Sequence, residues 1–454
     1  MRRLLFLAYH YPPVGGGGVQ RNRRFAQHLP TYGYDPVVVT GTGTRDARWS
    51  PLDATIADPE LAGLETRRVA GPEPGGDTGL PRLVNGVVDR HDSHLRWWLE
   101  GSLRVGLEAG RNCDAILASL VPYQTAETAI ALSERLRIPW IADLQDPWAL
   151  DEMWLYPTGL HHAIDKRRMR RQLARAAAIV MNTPEAAARL TREFPELAAR
   201  IVVSITNGFD AADFAGPAPA RDDGGDAFRI VHTGTMHTTT GLRLRRRKRV
   251  RRWLGGVTRD VDFLPRSHVY LLQALERLRA ADPALVADVE VHLAGVLTDA
   301  DREIAERSEF PRLLGYRSHE ETLALVRTAD LLFLPMHDLG PGHRAGLVPG
   351  KAYEYIASGR PILAAVPDGD VRDILGAVGT AEFCRPADVD EMARLLRGAI
   401  ERRRSGAPPP VADQDAIAPY ERRELTRRLA GTIDRVLGGA ESVGAAPSSS
   451  PAAA

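Results

Sequence analysis

Apolar residues in this chain occur in short runs that alternate with longer amphipathic stretches. In the first half, the runs predict buried strands at Leu4–Tyr9, Pro36–Thr40, Ala115–Leu120, Pro139–Asp143, Ala178–Met181 and Ile201–Ile205. The stretches between them predict helices at Val19–Pro30, Thr125–Leu136, Leu160–Ala176 and Pro184–Glu193. Short apolar strands separated by helices indicate a parallel sheet that is covered on both faces.

The alternation stops at residues 210–227, which are rich in Ala, Pro, Gly and Asp and indicate an interdomain linker. Beyond the linker, strands are predicted at Arg229–Gly234, Val289–Gly295, Asp330–Met336 and Pro361–Pro367. Helices are predicted at Ser267–Ala280, Ser318–Thr328, Lys351–Ser358 and Val389–Arg403. The sequence thus predicts two α/β domains, residues 1–209 and 228–410. We expect a helix within residues 411–438 that packs back on the first domain, and a disordered tail from 439 to 454.

Composition places the chain among soluble globular proteins, because 44% of its 454 residues are hydrophobic and 26% are charged. Two cysteines cannot build a disulfide framework, and no apolar run is long enough for a signal peptide or a membrane span. We therefore expect a cytoplasmic protein. The net charge is only +1, but basic residues cluster at Asp165–Arg175 and Leu242–Arg252. These clusters favour anionic partners such as phosphates or a membrane surface, whereas a pI of about 7.9 argues against nucleic acid.

Ligands of open α/β sheets bind outside the carboxyl ends of the strands, so residues that directly follow strands are candidates for the site. Gly15, Gly16, Gly17 and Gly18 follow the first strand and precede a helix. A bare backbone and free helix N–H groups suit an anionic ligand. Arg21 in the next turn could approach the same ligand. The alternatives are a flexible turn and an ordinary surface arginine.

Two carboxylates, Asp143 and Asp146, lie in "ADLQDPW" at the end of a predicted strand. Carboxylates at this place could orient or deprotonate an acceptor hydroxyl. A turn or helix cap is the alternative, because Asp-Pro commonly starts a turn. Asn207 lies in "TNGFD", which by itself indicates only a turn.

The second half repeats the strand–glycine pattern in "HTGT", which contains Gly234 and Thr235. Arg266 is predicted at a helix start, where a cation is unfavourable unless an anionic ligand is near. Lys351 and Glu354 follow the strand "LLFLPM". The glutamate could hold two vicinal hydroxyls such as those of a ribose, or it could form a surface pair with the lysine.

Four of these segments together resemble the family-4-type glycosyltransferases. They are "YHYPPVGGGGVQR", "IPWIADLQDPW", "TNGFD" and "YEYIASGRPILA", which occur in the family's order. The resemblance extends from about residue 3 to residue 403. It implies the GT-B architecture, in which two Rossmann-like parallel-sheet domains face a central cleft.

The resemblance implies retaining transfer from a nucleotide-sugar of the UDP or GDP type, with no cofactor and no metal. Glu354 would hold the ribose, Arg266 would replace a lysine on the pyrophosphate, and the four glycines would lie beside the phosphates and the acceptor. We expect donor binding by the residues Gly15, Gly16, Gly17, Gly18, Arg21, Gly234, Thr235, Arg266, His343, Lys351 and Glu354. We expect Asp146 to be catalytic, and Asp143 and Asn207 to bind the acceptor.

The chain departs from the family in two ways, and the first of them puts the donor sugar in question. The family usually has a glutamate eight positions before the one that matches Glu354, where this chain has Gly346, or His343 if two residues are inserted. The basic segment Leu242–Leu264 resembles an insertion, either a solvated loop or a surface for an anionic partner.

The sequence leaves three functions open. The first is transfer to a lipid-linked glycan at the inner membrane face, in cell-surface glycan biosynthesis. The helix Asp165–Arg175 and the segment His94–Leu103 would then supply charge and aromatic rings for docking. The second is the tailoring of a soluble small-molecule natural product. The third is a sugar-nucleotide epimerase of the same fold.

Overall fold

In a computed structural model, each half of the chain forms one parallel sheet with helices packed against it. The structure describes residues 1–15, 17–43, 61, 63–78, 91–221, 227–246, 254 and 261–444. All strand pairs within the two sheets are parallel. Within each sheet, the carboxyl ends of all strands therefore lie at the same edge.

The first sheet has the strand order β3-β2-β1-β4-β5-β6-β7. Its strands are β1 Arg2–Leu7, β2 Tyr34–Thr40, β3 Thr66–Arg68, β4 Ala115–Ser119, β5 Trp140–Leu144, β6 Ala178–Met181 and β7 Ile201–Ser204. The accompanying helices are α1 Gly17–His28, α2 Ser93–Ala109, α3 Thr125–Leu136, α4 Gly159–Leu173 and α5 Pro184–Glu193. Short 3-10 turns occur at Leu29–Tyr32, Gly110–Asn112, Trp148–Leu150, Pro195–Ala199 and Ala211–Phe214.

The second sheet has the order β10-β9-β8-β11-β12-β13. Its strands are β8 Phe228–Thr233, β9 Val289–Ala294, β10 Pro311–Gly315, β11 Leu331–Pro335, β12 Ile362–Ala365 and β13 Ala381–Cys384. Its helices are α6 Thr238–Arg246, α7 Val269–Ala281, α8 Asp299–Ala305, α9 His319–Thr328, α10 Gly350–Ser358, α11 Asp370–Val378 and α12 Val389–Arg404. The chain ends with α13 Gln414–Ile417 and α14 Arg422–Gly444, and further 3-10 turns occur at Pro283–Val286 and Ala418–Tyr420.

Successive residues of the central strands enter opposite hydrophobic cores. In β1, Leu5 and Leu7 pack in one core of the first domain, whereas Leu4 and Phe6 pack in the other. Side chains alternate between the two faces of a strand, so this division requires both faces of the sheet to be covered. The unbroken apolar runs of the sequence have their cause in this double burial.

The last helix, α14, covers one face of the first sheet. Leu425, Leu429 and Ile433 share a core cluster with Leu4 and Phe6 of β1. These three positions recur every four residues and so form one helical stripe. The second domain thus lies between two segments of chain that belong to the first domain's core.

The predicted strands and helices are observed, with ends shifted by a few residues. The strands β3, β10 and β13 were not predicted, because their sequences, "TRR", "PRLLG" and "AEFC", contain few adjacent apolar residues. The tail prediction was too long, since α14 continues to Gly444; residues 445–454 lie outside the described residues. Within the described part of the chain, no helix combines the length and apolar character needed to cross a membrane.

We predict that Leu429→Ala lowers the free energy of unfolding by about 2–5 kcal/mol, since it leaves a cavity between α14 and the first sheet. Leu429 has no exposed surface, whereas Leu160 on α4 is 69% exposed and provides a matched control. Leu160→Ala should change stability by no more than about 0.5 kcal/mol. Urea-induced unfolding measures both variants, and equal effects would contradict the packing described for α14.

Candidate active site

Two cavities lie at the carboxyl ends of the strands. The interdomain cavity, of about 380 Å³, is lined by residues of both domains: Gln20, Arg21, Arg24, Phe25, Thr206, Asn207, Gly208, Thr233, Gly234, Thr235, Ala294, Gly295, Val296, Tyr316, Arg317, Thr322, Gly350, Lys351, Glu354, Arg422 and Leu425. The aromatic cavity, of about 570 Å³, is lined by residues of the first domain: Tyr9, His10, Val14, Gly41, Gly43, Glu73, His94, Leu95, Leu120, Val121, Pro122, Tyr123, Gln124, Asp146 and Trp154.

Four predicted donor residues, Gly234, Thr235, Lys351 and Glu354, line the interdomain cavity on the second domain's side. Gly234 follows β8 with φ of 93°, a left-handed conformation that favours glycine. A Cβ atom at Gly234 would lie 2.9 Å from Lys351 Nζ, so the amine occupies space that only a glycine leaves open. Lys351 Nζ is also 3.2 Å from Nε2 of His232.

Glu354 lies one turn after Lys351 on α10. Burial raises the pKa of its carboxyl group, and His319 and Arg422 partly oppose this increase by favouring the charged form. His319 Nε2 lies 3.0 Å from Asp213 Oδ2, and this hydrogen bond raises the pKa of the imidazole. Glu354 and Arg422 both line the cavity, so the arginine favours the charged carboxylate from within the same lining.

Arg21 also lines the interdomain cavity, but its guanidinium is engaged within the first domain. It donates to Asp143 Oδ1 at 2.6 Å and to the Thr206 carbonyl oxygen at 2.7 Å. Asp143 has no exposed surface, so its carboxylate is turned away from any acceptor. The prediction of an acceptor contact for Asp143 is corrected here: the residue fixes Arg21 at the cavity wall.

Asp210 ties together three segments at the same wall. It accepts a hydrogen bond from Arg24 Nε at 2.9 Å and forms an ion pair with Arg422 at the start of α14. Burial opposes its charge, but Arg422 and Arg24 outweigh that effect and lower the pKa of Asp210. Arg422 was not foreseen from the sequence, because it lies far along the chain from every predicted site residue.

The described glycines of the run, Gly15, Gly17 and Gly18, are part of neither cavity lining, although residues on either side of the run are. Val14, just before the run, lines the aromatic cavity, and Gln20, just after it, lines the interdomain cavity. Helix α1 begins at Gly17, and the carbonyl oxygen of Gly18 accepts a hydrogen bond of 3.1 Å from Gln145 Nε2. Gly15 is buried, and Gly16 lies outside the described residues.

Aromatic rings form much of the second cavity. Tyr123 stacks on Trp148 with ring centroids 5.1 Å apart, and its other neighbour, Trp154, meets it edge-on. Tyr9 packs edge-on against His94 and Trp98. Sequence reasoning assigned no role to Tyr123 or Trp154, although Tyr123 follows β4 at the sheet edge where ligands are expected.

Three carboxylates surround Arg266 where the domains meet. Asp146 lines the aromatic cavity, and burial raises the pKa of its carboxyl group although Arg266 opposes the increase. Burial, together with Asp146 and Glu152, raises the pKa of Asp151 to about 7. Arg266 comes from the second domain and places Nη1 2.9 Å from Met153 Sδ of the first. Its guanidinium thus reaches the segment that follows Asp146.

Glu152 joins the domains through Gly346, the position where the family usually has a glutamate. Its Oε1 accepts hydrogen bonds from the backbone N–H groups of Gly346 at 3.0 Å and Leu347 at 3.3 Å. Burial opposes its charge, but His337 and Arg189 outweigh this and lower the pKa of Glu152 to about 2. The loop that would carry the glutamate is therefore fastened to the first domain.

One further prediction, that of a donor contact for His343, is corrected by the position of the residue. His343 lies exposed on the surface and forms part of neither cavity lining, so it does not face a donor in the interdomain cavity. Asn207, predicted to bind the acceptor, lines the interdomain cavity beside Gly208. The basic residues 247–252 lie outside the described residues.

No protein-family profile matches the chain, and no curated protein sequence resembles it significantly. Several solved structures, in contrast, are similar to the chain in their fold. HepE from Anabaena, in complex with UDP and glucose, has a TM-score of 0.59 at 14% identity, over 96% of this chain and 100% of that one. A glycosyltransferase from Rickettsia africae has a TM-score of 0.58 at 10% identity, over 96% and 98%. The α,α-trehalose 6-phosphate synthase from Burkholderia multivorans has a TM-score of 0.56 at 13% identity, over 98% and 99%.

These likenesses extend over nearly the whole length of both chains, and both parallel sheets take part in them. At such low identity they show a shared architecture. The chain has the α/β GT-B fold, with two Rossmann-like domains.

Proposed function

We propose that this protein is a glycosyltransferase that moves a sugar from a nucleotide-sugar to an acceptor hydroxyl, with retention at the anomeric carbon. One observation carries the proposal: a cavity formed by both domains, with four arginines and a lysine in its described lining, and an aromatic cavity in the first domain both lie at the carboxyl ends of the strands. A donor and an acceptor held in these cavities would both lie at the strand ends, where ligands of open α/β sheets bind. Retention rests on the resemblance of the motifs alone.

The interdomain cavity would hold the donor. The carboxylate of Glu354 would accept hydrogen bonds from the ribose hydroxyls, and Lys351 with the Gly234–Thr235 backbone would face the diphosphate. Arg266 would neutralise the leaving group from the domain boundary, which is how proteins stabilise a departing diphosphate without a metal. Structurally similar proteins hold UDP or UDP-glucose, which favours a UDP donor over a GDP donor.

The aromatic cavity would hold the acceptor. Its described lining combines flat rings with the carboxylates of Glu73 and Asp146, and contains no lysine or arginine. Rings suit the apolar face of a sugar or a planar natural product, and carboxylates bind hydroxyl groups. A neutral acceptor with hydroxyls therefore fits this cavity better than an anionic one, and Asp146 would orient or deprotonate the reacting hydroxyl.

A lipid-linked glycan is the acceptor that we favour, with the enzyme at the cytoplasmic face of a membrane. Helix α4 exposes Leu160 and Ile164 on its first turns, with 69% and 40% of their surfaces accessible. Arg167 and Arg171 continue this exposed face and have no ion pair in the described part of the chain. Apolar and basic groups on one face suit an anionic membrane surface.

The segment His94–Leu103 was expected to join in docking, and the structure corrects this. Trp98 has no exposed surface and donates Nε1–H to Thr125 Oγ1 at 3.0 Å within the domain. Trp97 is partly buried, with its Nε1 3.3 Å from the Ala70 carbonyl oxygen. The docking surface would therefore consist of α4 without this segment.

We predict that Lys351→Met and Glu354→Gln each weaken nucleotide binding by roughly tenfold or more, because each removes a charged hydrogen-bonding group from the cavity. Titration calorimetry with UDP, GDP and dTDP measures the effect. His343→Ala, on the exposed loop, should leave affinity unchanged. Normal nucleotide affinity in both cavity variants would contradict the donor site, and conversion of a nucleotide-sugar to its epimer without acceptor would favour the epimerase.

Asp146→Asn should lower kcat by about 10²-fold or more and leave nucleotide affinity within about twofold, because the carboxylate acts on the acceptor side. The assay is transfer from a radiolabelled donor to a panel of glycolipid and small-molecule acceptors. Asp35→Asn, near the start of β2 and in neither cavity lining, serves as a control. An unchanged kcat in Asp146→Asn would remove this residue from the catalytic machinery.

We predict binding to vesicles that contain phosphatidylglycerol, and weaker binding to vesicles of phosphatidylcholine alone, measured by co-sedimentation. The double variant Leu160→Glu/Ile164→Glu should lose roughly tenfold in vesicle affinity, since it places charge where apolar groups would enter the interface. Val411, another exposed apolar residue, provides the control as Val411→Glu. No binding by the wild type would contradict membrane docking and favour a soluble acceptor.

A further inference from the structure

Lys351 directs a cationic group into the interdomain cavity without a carboxylate partner. Within the described residues, Lys351 forms no ion pair at or below 4.0 Å. Its Nζ lies within hydrogen-bonding distance of His232 Nε2, at 3.2 Å. The backbone at Gly234 lies beneath the amine, since a Cβ there would approach Nζ to 2.9 Å. A recessed amine that lacks a protein anion is suited to an anion that arrives from outside.

His232 is held so that it can only accept a hydrogen bond from this amine. Its Nδ1 lies 3.0 Å from the Phe333 carbonyl oxygen, which has no hydrogen to give, so Nδ1 carries the proton of the ring. Burial, Lys351 and Arg266 all push the pKa of His232 well below its ordinary value. The ring is therefore neutral, and the lone pair of Nε2 faces Nζ.

The groups around Lys351 shift the pKa of its amine in opposite directions. Burial and the nearby Arg266 lower its pKa to about 7, while Glu354 favours the charged form. At neutral pH, a large share of the molecules would hold the amine uncharged. A diphosphate in the cavity adds negative charge beside Nζ and makes the ammonium form more stable.

We propose that His232 is a positioning residue that aims Lys351 at the donor diphosphate, and that nucleotide binding is coupled to the uptake of a proton by Lys351. This inference rests on the proposed function and adds to it a pH dependence of donor affinity. When the nucleotide binds, one solvent proton adds to the Nζ lone pair, and the resulting ammonium pairs with phosphate oxygens. No covalent bond is made or broken in the substrate at this step.

Other charged groups face the same space. The arginines of the cavity, Arg21, Arg24, Arg317 and Arg422, keep their charge over the accessible pH range. Glu354 and its neighbour His319 both have raised pKa values, so they could contribute to proton exchange near neutral pH. A test must therefore separate the contribution of Lys351 from theirs.

Titration calorimetry in HEPES and in Tris measures the number of protons taken up, because the two buffers release different heats on ionisation. With UDP, GDP or dTDP as the probe, the wild type should take up close to one proton at about pH 8, and its affinity should fall by up to about tenfold per pH unit above pH 7. Lys351→Arg keeps its charge, so it should bind the nucleotide with that uptake lost. Any proton exchange by His319 or Glu354 would persist in this variant.

Two substitutions of His232 test its positioning role. His232→Gln can retain an acceptor near the position of Nε2 and should keep most of the affinity, whereas His232→Phe keeps the volume but removes the acceptor and should weaken binding by roughly tenfold. Thermal unfolding verifies that both variants fold. Equal affinities in the two variants would remove the positioning role.

The outcomes separate the two proposals. Nucleotide binding with equal proton uptake in the wild type and in Lys351→Arg would overturn the coupling and leave the donor site intact. Absence of binding for every nucleotide-diphosphate would overturn the proposed function and the inference that rests on it. Binding with an uptake that disappears only in Lys351→Arg would support both.

Discussion

The chain crosses between its domains twice at one place, and this constraint determines where the interdomain cavity can form. The outgoing and returning segments bind each other, since the Phe209 N–H donates to the Tyr420 carbonyl oxygen at 3.1 Å and the Arg422 N–H donates to the Phe209 carbonyl oxygen at 3.0 Å. Gly208 allows this approach, because a Cβ there would lie 2.1 Å from the Tyr420 oxygen. Both segments then continue into the cavity wall, through Gly208 and Arg422.

The two cavities differ in charge in a way that suits two different substrates. The described lining of the interdomain cavity contains five cationic side chains and a single acid, Glu354. The aromatic cavity has two carboxylates and neither lysine nor arginine among its described lining residues. Between them, Arg266 from the second domain meets Asp146 and Asp151 of the first. Under the proposed function, this difference in charge would direct an anionic donor and a neutral acceptor to different cavities.

The sequence was informative where the chemistry follows the strand order. Gly234, Lys351 and Glu354 were predicted because a parallel sheet presents its ligands where strands end, and the structure places all three in one cavity. Side chains that pack between elements could not be assigned in this way. Asp143 and Asp146 both lie near the end of a strand, but Asp143 is buried and pairs with Arg21. The sequence alone does not reveal which of two neighbouring carboxylates has a buried partner.

Contributions from distant parts of the chain were beyond the reach of local patterns. Arg422 reaches the cavity only because the stripe of Leu425, Leu429 and Ile433 carries α14 back to the first sheet. Trp154 was likewise hidden in a segment without periodicity, although it lines the aromatic cavity. Both residues depend on tertiary packing, which local propensity does not encode.

The return of α14 to the first domain also has a consequence for biosynthesis. The first domain's central strands leave the ribosome early, yet one face of their sheet stays uncovered until Leu429 and its neighbours have been made. The second domain is synthesised in that interval, before the part of the cavity wall that contains Arg422 exists. A nascent chain therefore has to keep an apolar sheet face protected throughout the translation of an entire domain, and it acquires the full cavity only at the end.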